Sequence, residues 1–384
     1  MSKIDELIER LCPDGVEYKK LSCLASYARE RIAASDLEPG SYVGVNELLQ
    51  EYRGRSYEVH VPSEEKCISY RPGDVLLGNI RPYLKKMWLA DCFGGTNGDV
   101  LVIRVCDAAQ LSPRFLWQVL AGRAFTEYNI SHSKGAKMPR GDKRAIMDFR
   151  IPVPPMEVQE EIVRVLDSFA ELEAELEAEL EARKRQYAHY RDRLLTFEER
   201  ERERVRWVTL GEIASMKAGK AIAASNISEC ANSVSSVRCF GANGLRGYVS
   251  RPNQSGNAVL IGRQGALCGN VYFVDGDYYA TEHAVVAVPR EGVDCCYLFY
   301  ALAAANLNQF KTAGAQPGLS VERLKRVKVA LPDAETQCRI AKTLKQFDVL
   351  INDISQGLPA EIEARRKQYA YYRDKLLSFK EKVA

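Results

Sequence analysis

Histidines, cysteines and a few glycine-rich turns are the residues of this 384-residue chain that could carry chemistry by themselves. His60, His132, His189 and His283 are scattered, with no spacing that would bring imidazoles onto one metal ion. Nine of the eleven cysteines, Cys12, Cys23, Cys67, Cys92, Cys106, Cys230, Cys239, Cys268 and Cys338, stand singly, and Cys295-Cys296 is a vicinal pair in an apolar run. Neither the paired CxxC spacing of a zinc site nor a disulfide framework is present, so buried, reduced thiols packing as small hydrophobes are expected. Phe240-Gly-Ala-Asn-Gly has the glycines of a cofactor loop without its spacing, and Gly219-Lys220 lacks the upstream glycine of a phosphate-binding loop. The run from Pro13 to Lys19 mimics the carboxylate and lysine set of a nuclease, but it is compressed into seven residues and no further acidic partner is evident. No constellation organises catalysis. No metal site is expected either.

Recognition chemistry remains. Phosphates are held by Lys, Arg and backbone amides, while Arg favours guanine edges and Asn or Gln favours adenine edges. In the first part of the chain Arg53, Arg55, Asn79, Arg81, Lys85 and Lys137 have side chains suited to such contacts, and in the second Lys217, Lys220, Asn243, Arg246, Arg263, Gln264 and His283. The competing reading of each is a solvated surface charge, or for His283 a hydrogen bond in the core. Net charge is only +3, yet it is uneven: +3 over residues 12–155 and +4 over 205–333, against −6 over 156–204. Basic bodies around an acidic segment suit bodies that touch phosphate and a segment that does not.

The elements that position these residues are set by a repeat. EARKRQYAHYRDRLLTF from Glu181 returns as EARRKQYAYYRDKLLSF from Glu363, a shift of 182. Upstream, Gln159, Ile162, Leu166 and Phe169 meet Gln337, Ile340, Leu344 and Phe347 at a shift of 178, and VEYKKLSCLA from Val16 resembles VRWVTLGEIA from Val205. Two copies are too few for a solenoid, so the natural reading is a pseudo-dimer in one chain.

From Glu157 to Phe197 no Pro or Gly interrupts a heptad stripe of Ile162, Leu166, Phe169, Leu176, Leu180, Tyr187, Tyr190 and Leu194. The second copy offers Ile340, Leu344, Phe347 and Ile351, then Tyr369, Tyr372 and Leu376, interrupted by SQGLPAE. The shift changes there by four residues, about one helical turn, so a break is expected near Gly357, with Pro359 in the first turn of the next helix. The stripes are expected to bury one another as an antiparallel pair. The segments between helices carry short Val, Ile and Leu runs such as Asp74–Gly78 and Asn257–Gly262, followed by basic loops, with helices at Pro113–Tyr128 and Cys295–Lys311. The expected fold is α/β: two mixed α/β domains separated by two long antiparallel coiled-coil-like helices, with a pseudo-two-fold internal repeat. Boundaries follow at 1–155 for the first domain with its short N-terminal helix, 156–200 for the central helix, 201–333 for the second domain and 334–384 for the C-terminal helix. No apolar run is long enough to span a bilayer and the N-terminus has no signal-peptide core, so a cytoplasmic protein is expected.

GAKMPRGDK from Gly135 with IPVPP and Gln159 after it, GAQPGLSVERLK from Gly314 with Leu331-Pro332 and Gln337 after it, and the duplicated EAR segment together resemble the specificity subunits of type I restriction-modification systems over essentially the whole chain. The resemblance implies that each body is a target recognition domain reading one half of a split double-stranded DNA site, and that the helices set the gap and hold two modification (methyltransferase) subunits. It also implies that S-adenosylmethionine belongs to those subunits, that ATP and Mg belong to restriction subunits where present, and that this chain is itself non-catalytic. A coiled-coil protein-interaction scaffold without DNA binding is the alternative; dissimilar bodies between near-identical helices count against it.

Overall fold

The computed structural model describes residues 3–58, 65–197, 205–265, 268–312, 318–352 and 357–382. His60 and the Gly314–Pro317 part of the second glycine motif lie outside them. The chain divides into two compact units, residues 1–176 with 362–384, and residues 177–361. No helix among the described residues is long and apolar enough to cross a membrane.

The first unit opens with α1 (Lys3–Leu11) and carries β1 (Tyr18–Lys20), β2 (Ala25–Tyr27), β3 (Arg31–Ala33), β4 (Lys66–Tyr70), β5 (Val75–Gly78), β6 (Met87–Leu89), β7 (Gly94–Thr96) and β8 (Val100–Val105). Then follow α2 (Pro113–Ala121), α3 (Arg123–Ser131), α4 (Lys143–Asp148), β9 (Arg150–Pro152) and α5 (Met156–Thr196), whose second half belongs to the other unit. The strands form sheets of order β2-β8-β5-β6, β3-β4-β7 and β1-β9, all antiparallel.

Period-two alternation sends the two faces of β5 and β8 to different cores. Val75, Leu77, Leu101 and Ile103 pack with Phe115, Leu116 and Val119 of α2 and with Ile162 and Leu166 of α5. Leu76, Val100 and Val102 pack instead with Tyr70, Val43, Leu48 and Trp88. The central sheet therefore lies between a helical layer and the smaller sheet, and its apolar runs are continuous because neither face meets water. The helix expected over Pro113–Tyr128 is two helices. Its break is at Gly122, in extended backbone, and Asp374 accepts the Arg123 N–H at 3.0 Å to cap the second of them.

The second unit repeats the plan with β10 (Arg206–Thr209), α6 (Leu210–Ile213), β11 (Ala214–Ala218), β12 (Val237–Gly241), β13 (Gly244–Val249), β14 (Gln254–Ser255), β15 (Ala258–Gly262), β16 (Val271–Val274), β17 (Asp277–Ala280) and β18 (Ala284–Pro289). It closes with α7 (Cys295–Ala304), α8 (Val321–Lys325), β19 (Lys328–Leu331) and α9 (Ala334–Asn352), while α10 (Leu358–Leu376) belongs to the first unit from Ile362 onward. Here α7 ends at Ala304 and only a 3-10 turn, Leu307–Phe310, continues toward Lys311. Sheet β11-β18-β15-β16 matches β2-β8-β5-β6 strand for strand, and β10-β19 matches β1-β9. The third sheet, β13-β12-β17-β14, has one strand more than its counterpart and one parallel pair, β12 with β17.

The repeat is exact at one buried device. Gln159 receives the Ser112 N–H at 2.9 Å and donates to the carbonyls of Gln110 and Pro154, at 2.9 and 2.8 Å. Gln337 receives the Asp294 N–H at 2.8 Å and donates to Gly292 and Pro332, at 3.2 and 2.9 Å. Each glutamine locks the start of a long helix to the loop ahead of α2 or α7.

The aromatic seam is exchanged between repeats. Phe169 on α5 stacks on Tyr369 and Tyr372 of α10, with centroids 6.3 and 5.4 Å apart, and Glu173 pairs with Arg366 at 2.6 Å. In the second unit Phe347 on α9 meets Tyr187 and Tyr190 of α5, at 6.1 and 5.7 Å. Rising numbers on α5 meet falling numbers on its partners, so the helices pair antiparallel within each unit. The stripe also divides: Ile162 and Leu166 go into the first core, with Tyr369 and Leu376 packed against it, and Ile340 and Leu344 join Phe197, Tyr297 and Tyr300 with Tyr187 and Leu194 alongside. Ile351 is buried, Leu176 and Leu180 are half-buried, and Tyr190 is exposed.

One expectation is corrected. None of the eleven cysteines is in a disulfide, but Cys23, Cys106, Cys230 and Cys338 are exposed, because each lies on a polar turn or an outward helix face and not on a core stripe.

The N-terminal helix gives a pH-dependent anchor. Glu161 on α5 accepts from Arg164 at 2.6 Å and from Lys3 of α1 at 3.0 Å, and these two cations, Arg164 foremost, hold its carboxyl down to about 2 from an ordinary 4.5. A depressed carboxylate stabilises the fold above its ordinary value and loses that contribution as pH falls toward the folded value. Thermal unfolding of the wild type should therefore weaken between about pH 4.5 and about pH 2. Glu161→Gln should be less stable at neutral pH and flatter across that window; parallel curves would refute the anchor.

Candidate nucleic-acid interface

Both bodies carry the same backbone frame at the end of the central sheet. In the second, the Arg263 N–H donates to the His283 carbonyl at 2.9 Å, the Leu319 N–H donates to the Arg263 carbonyl at 2.8 Å, and Gln264 bridges Gly318. In the first, the Asn79 N–H donates to Asp99 at 2.8 Å, the Gly141 N–H donates to Asn79 at 3.1 Å, and Ile80 bridges Arg140. The scaffold is common while the side chains it presents are not: Arg263 stands where Asn79 does, Gln264 where Ile80 does, and His283 where Asp99 does.

In the second body this frame opens a cleft of about 870 Å³. Asn243, Arg246, Arg263, Gln264 and His283 all line it, so five of the seven residues chosen from that half converge. The β12–β13 hairpin supplies Asn243 at its turn and Arg246 from β13, and it sits tightly on the end of β15. A Cβ at Gly262 would come 2.2 Å from the Ala242 carbonyl, so glycine is required there. Tyr272 and Asn270 donate to Asn243 Oδ1, at 3.1 and 3.4 Å, fixing the turn. His283 lies between Gln264, through Nδ1, and Glu282, through Nε2 at 3.2 Å. Lys217, on β11, and Lys220, beside Thr281, are exposed outside the cleft lining.

The first body spends several of its candidates internally. Arg55 donates to the Gly40 carbonyl at 2.7 Å and lies over the rings of Tyr57 and Trp88, each 4.7 Å from the ring centre. Asn79 is 7% exposed, so it reaches the surface only through its neighbours. Lys85 pairs with Glu51 at 2.9 Å. Arg53, Arg81 and Lys137 are exposed. Sequence reasoning missed Arg140, which pairs with Asp99 at 2.9 Å, and Lys134, which pairs with Asp142. Asp142 also caps α4 by accepting from Arg144 and Ala145; Lys134 first, and these amides after it, hold its carboxyl down at about 2. Arg140 was available from the GAKMPRGDK motif, three residues beyond Lys137.

No group of three or more His, Cys, Asp or Glu among the described residues is placed to hold a metal ion. Twin α/β bodies, each joined to an antiparallel helix pair and each ending in basic loops on a shared frame, define a duplicated recognition protein. The family model described as the type I restriction modification DNA specificity domain matches residues 82–182 and 203–364, and the chain belongs to that family, whose specificity subunits are non-catalytic. It is similar to the EcoprrI type I restriction enzyme specificity subunit of Escherichia coli, 49% identical over 53% of this chain and 52% of that one, so the match spans about half of that relative. A putative type I restriction enzyme specificity subunit of Haemophilus influenzae is 27% identical over 95% of this chain and 96% of its own length. Among solved structures, a type I restriction-modification S subunit from M. genitalium shares the fold with a TM-score of 0.60 at 15% identity, covering 94% of this chain and 96% of that one.

Proposed function

We propose that each body reads one half of a bipartite double-stranded DNA site, and that the helices set the gap between halves and dock two modification subunits. The observation that carries this reading is the common frame with unlike side chains, Arg263, Gln264 and His283 against Asn79, Ile80 and Asp99. A device that must stay in register on DNA while reading different bases keeps its backbone and varies what the backbone holds. Because most of the apolar stripe is spent on the chain's own packing, modification subunits would dock on the outer polar faces of the helices. S-adenosylmethionine would enter with those subunits, and ATP with Mg would enter with restriction subunits where a system has them. The assembled complex would act on adenine in the cytoplasm.

The test is binding of the chain, assembled with its modification subunits, to duplexes carrying the site mapped by methylation in the source cell. A sequence-specific, salt-sensitive complex is expected; its absence would favour the coiled-coil scaffold. Within that assay Arg263→Ala should cost roughly 1–3 kcal/mol and relax preference at one base pair of the half read by the second body. Unchanged affinity and preference would remove Arg263 from the interface.

A further inference from the structure

Resting on the reading of the first body as a half-site module, we propose that the C-terminal helix positions that module's contact loops through Arg373 and Tyr52. Left-handed backbone at non-glycine residues is strained and collects where surrounding structure forces it, often at functional sites. Of the six such residues among those described, four are Glu51, Tyr52, Arg81 and Lys85. They lie in two loops of the first body that bind each other. The Glu51 and Tyr52 N–H groups donate to the carbonyls of Leu84 and Lys85, at 3.2 and 2.8 Å, and the Lys85 ammonium reaches Glu51. Arg81 is held in turn by its N–H on the Pro139 carbonyl at 2.7 Å, next to the GAKMPRGDK loop. The strained pair thus presents Arg53 and Arg81 to solvent.

Tyr52 is the inner end of this assembly. Its hydroxyl bonds Thr126 on α3, and its ring lies 5.7 Å from the guanidinium of Arg373, which also lies 5.2 Å from the ring of Tyr369. Arg373 Nε is buried with no hydrogen-bond partner, and the guanidinium lies against both rings with Tyr369 also within its hydrogen-bonding reach. Tyr369 is anchored on Gln118 at 3.1 Å, and the neighbouring Asp374 caps α3. One turn of α10 therefore fixes both the helix that carries Thr126 and the tyrosine that backs the loops. The duplicate, Arg191, lies 5.9 Å from Tyr187 on its own helix and pairs with Asp192 at 2.8 Å instead. The same repeated motif serves a contact loop in the first unit and its own helix in the second. Arg373 and Tyr52 are positioning residues, acting on DNA only through the loops they hold.

The experiment measures binding of the full chain, with its modification subunits, to three duplexes: the intact site, one with the first body's half scrambled, and one with the other half scrambled. If scrambling either half leaves wild-type affinity unchanged, the half-site reading has failed and the positioning role falls with it. With that control met, Arg373→Gln and Tyr52→Leu should each weaken binding to the intact site about tenfold. Neither should matter on the duplex whose first half is scrambled, and the salt dependence should stay as in the wild type, because no phosphate contact is lost. Arg373→Lys keeps a cation over the rings and should recover part of the affinity. Wild-type binding by both variants overturns the proposal, and so does an equal loss on all three duplexes, which marks a general defect of the fold.

Discussion

A chimaera in which residues 205–333 are replaced by the corresponding body of another specificity subunit should direct methylation to a site altered on one side of the gap only. The reason lies in where the packing is kept. The second body meets its helices through the start of α9, where Gln337 ties the helix to the Gly292 and Pro332 carbonyls, and through Phe197, Tyr297 and Tyr300 around Leu344. The cleft residues Asn243, Arg246, Arg263, Gln264 and His283 lie on the other elements of that body. A donor body that keeps the glutamine lock and the aromatic contacts can replace every cleft side chain without disturbing the first unit, whose core is separate. Methylation mapping in cells carrying the chimaera should show one half-site replaced completely, with the other half and the gap unchanged. Changes in both halves would end the modular account.

Duplicating Ala174–Glu177 within α5 should lengthen the unspecified gap and leave both half-sites as they were. Four helical residues add about 6 Å, which is one to two base pairs at roughly 3.4 Å each. The insertion falls between the ion pair of Glu173 with Arg366 in the first unit and the aromatic contact of Tyr187 with Phe347 in the second. Leu176 and Leu180, the only stripe residues between them, are half-buried, so each unit keeps its own packing. The same mapping reads the result, and a gap of unchanged length would remove the helices as the ruler.

The seam was legible because it is written twice. Phe169 and Phe347, or Tyr187 and Tyr369, keep their spacing in both copies, and a repeated apolar position leaves few alternatives to burial. What the repeat could not reveal was the division of the stripe. Ile162 and Leu166 look in sequence like Leu176 and Leu180, yet the first pair lies beneath α2 and the second pair does not. In the interface, the cleft of the second body is largely readable, since Asn243, Arg263 and Gln264 follow strand ends at glycines. Arg55 and Asn79 were less so. Their surroundings come from Trp88, Cys92 and Gly141, 33 to 62 residues away in the chain, and no local pattern tells an arginine bound for a ring face from one bound for phosphate. Gly122 is silent in the sequence for the opposite reason: the helix that follows it is capped by Asp374, about 250 residues on.

The first unit is discontinuous, since residues 362–384 complete what residues 1–176 begin, down to the Val16 N–H donating to the Lys380 carbonyl at 2.8 Å. During synthesis the first body emerges while the segment that covers Phe169 and backs Tyr52 is still untranslated. At roughly 5–20 residues per second that interval lasts on the order of ten to forty seconds. For that time its aromatic face is open, and nascent chains on one message could pair with each other's faces before their own tails arrive. Arrival of residues 362–384, and not the folding of either body, is then the event that completes the first unit.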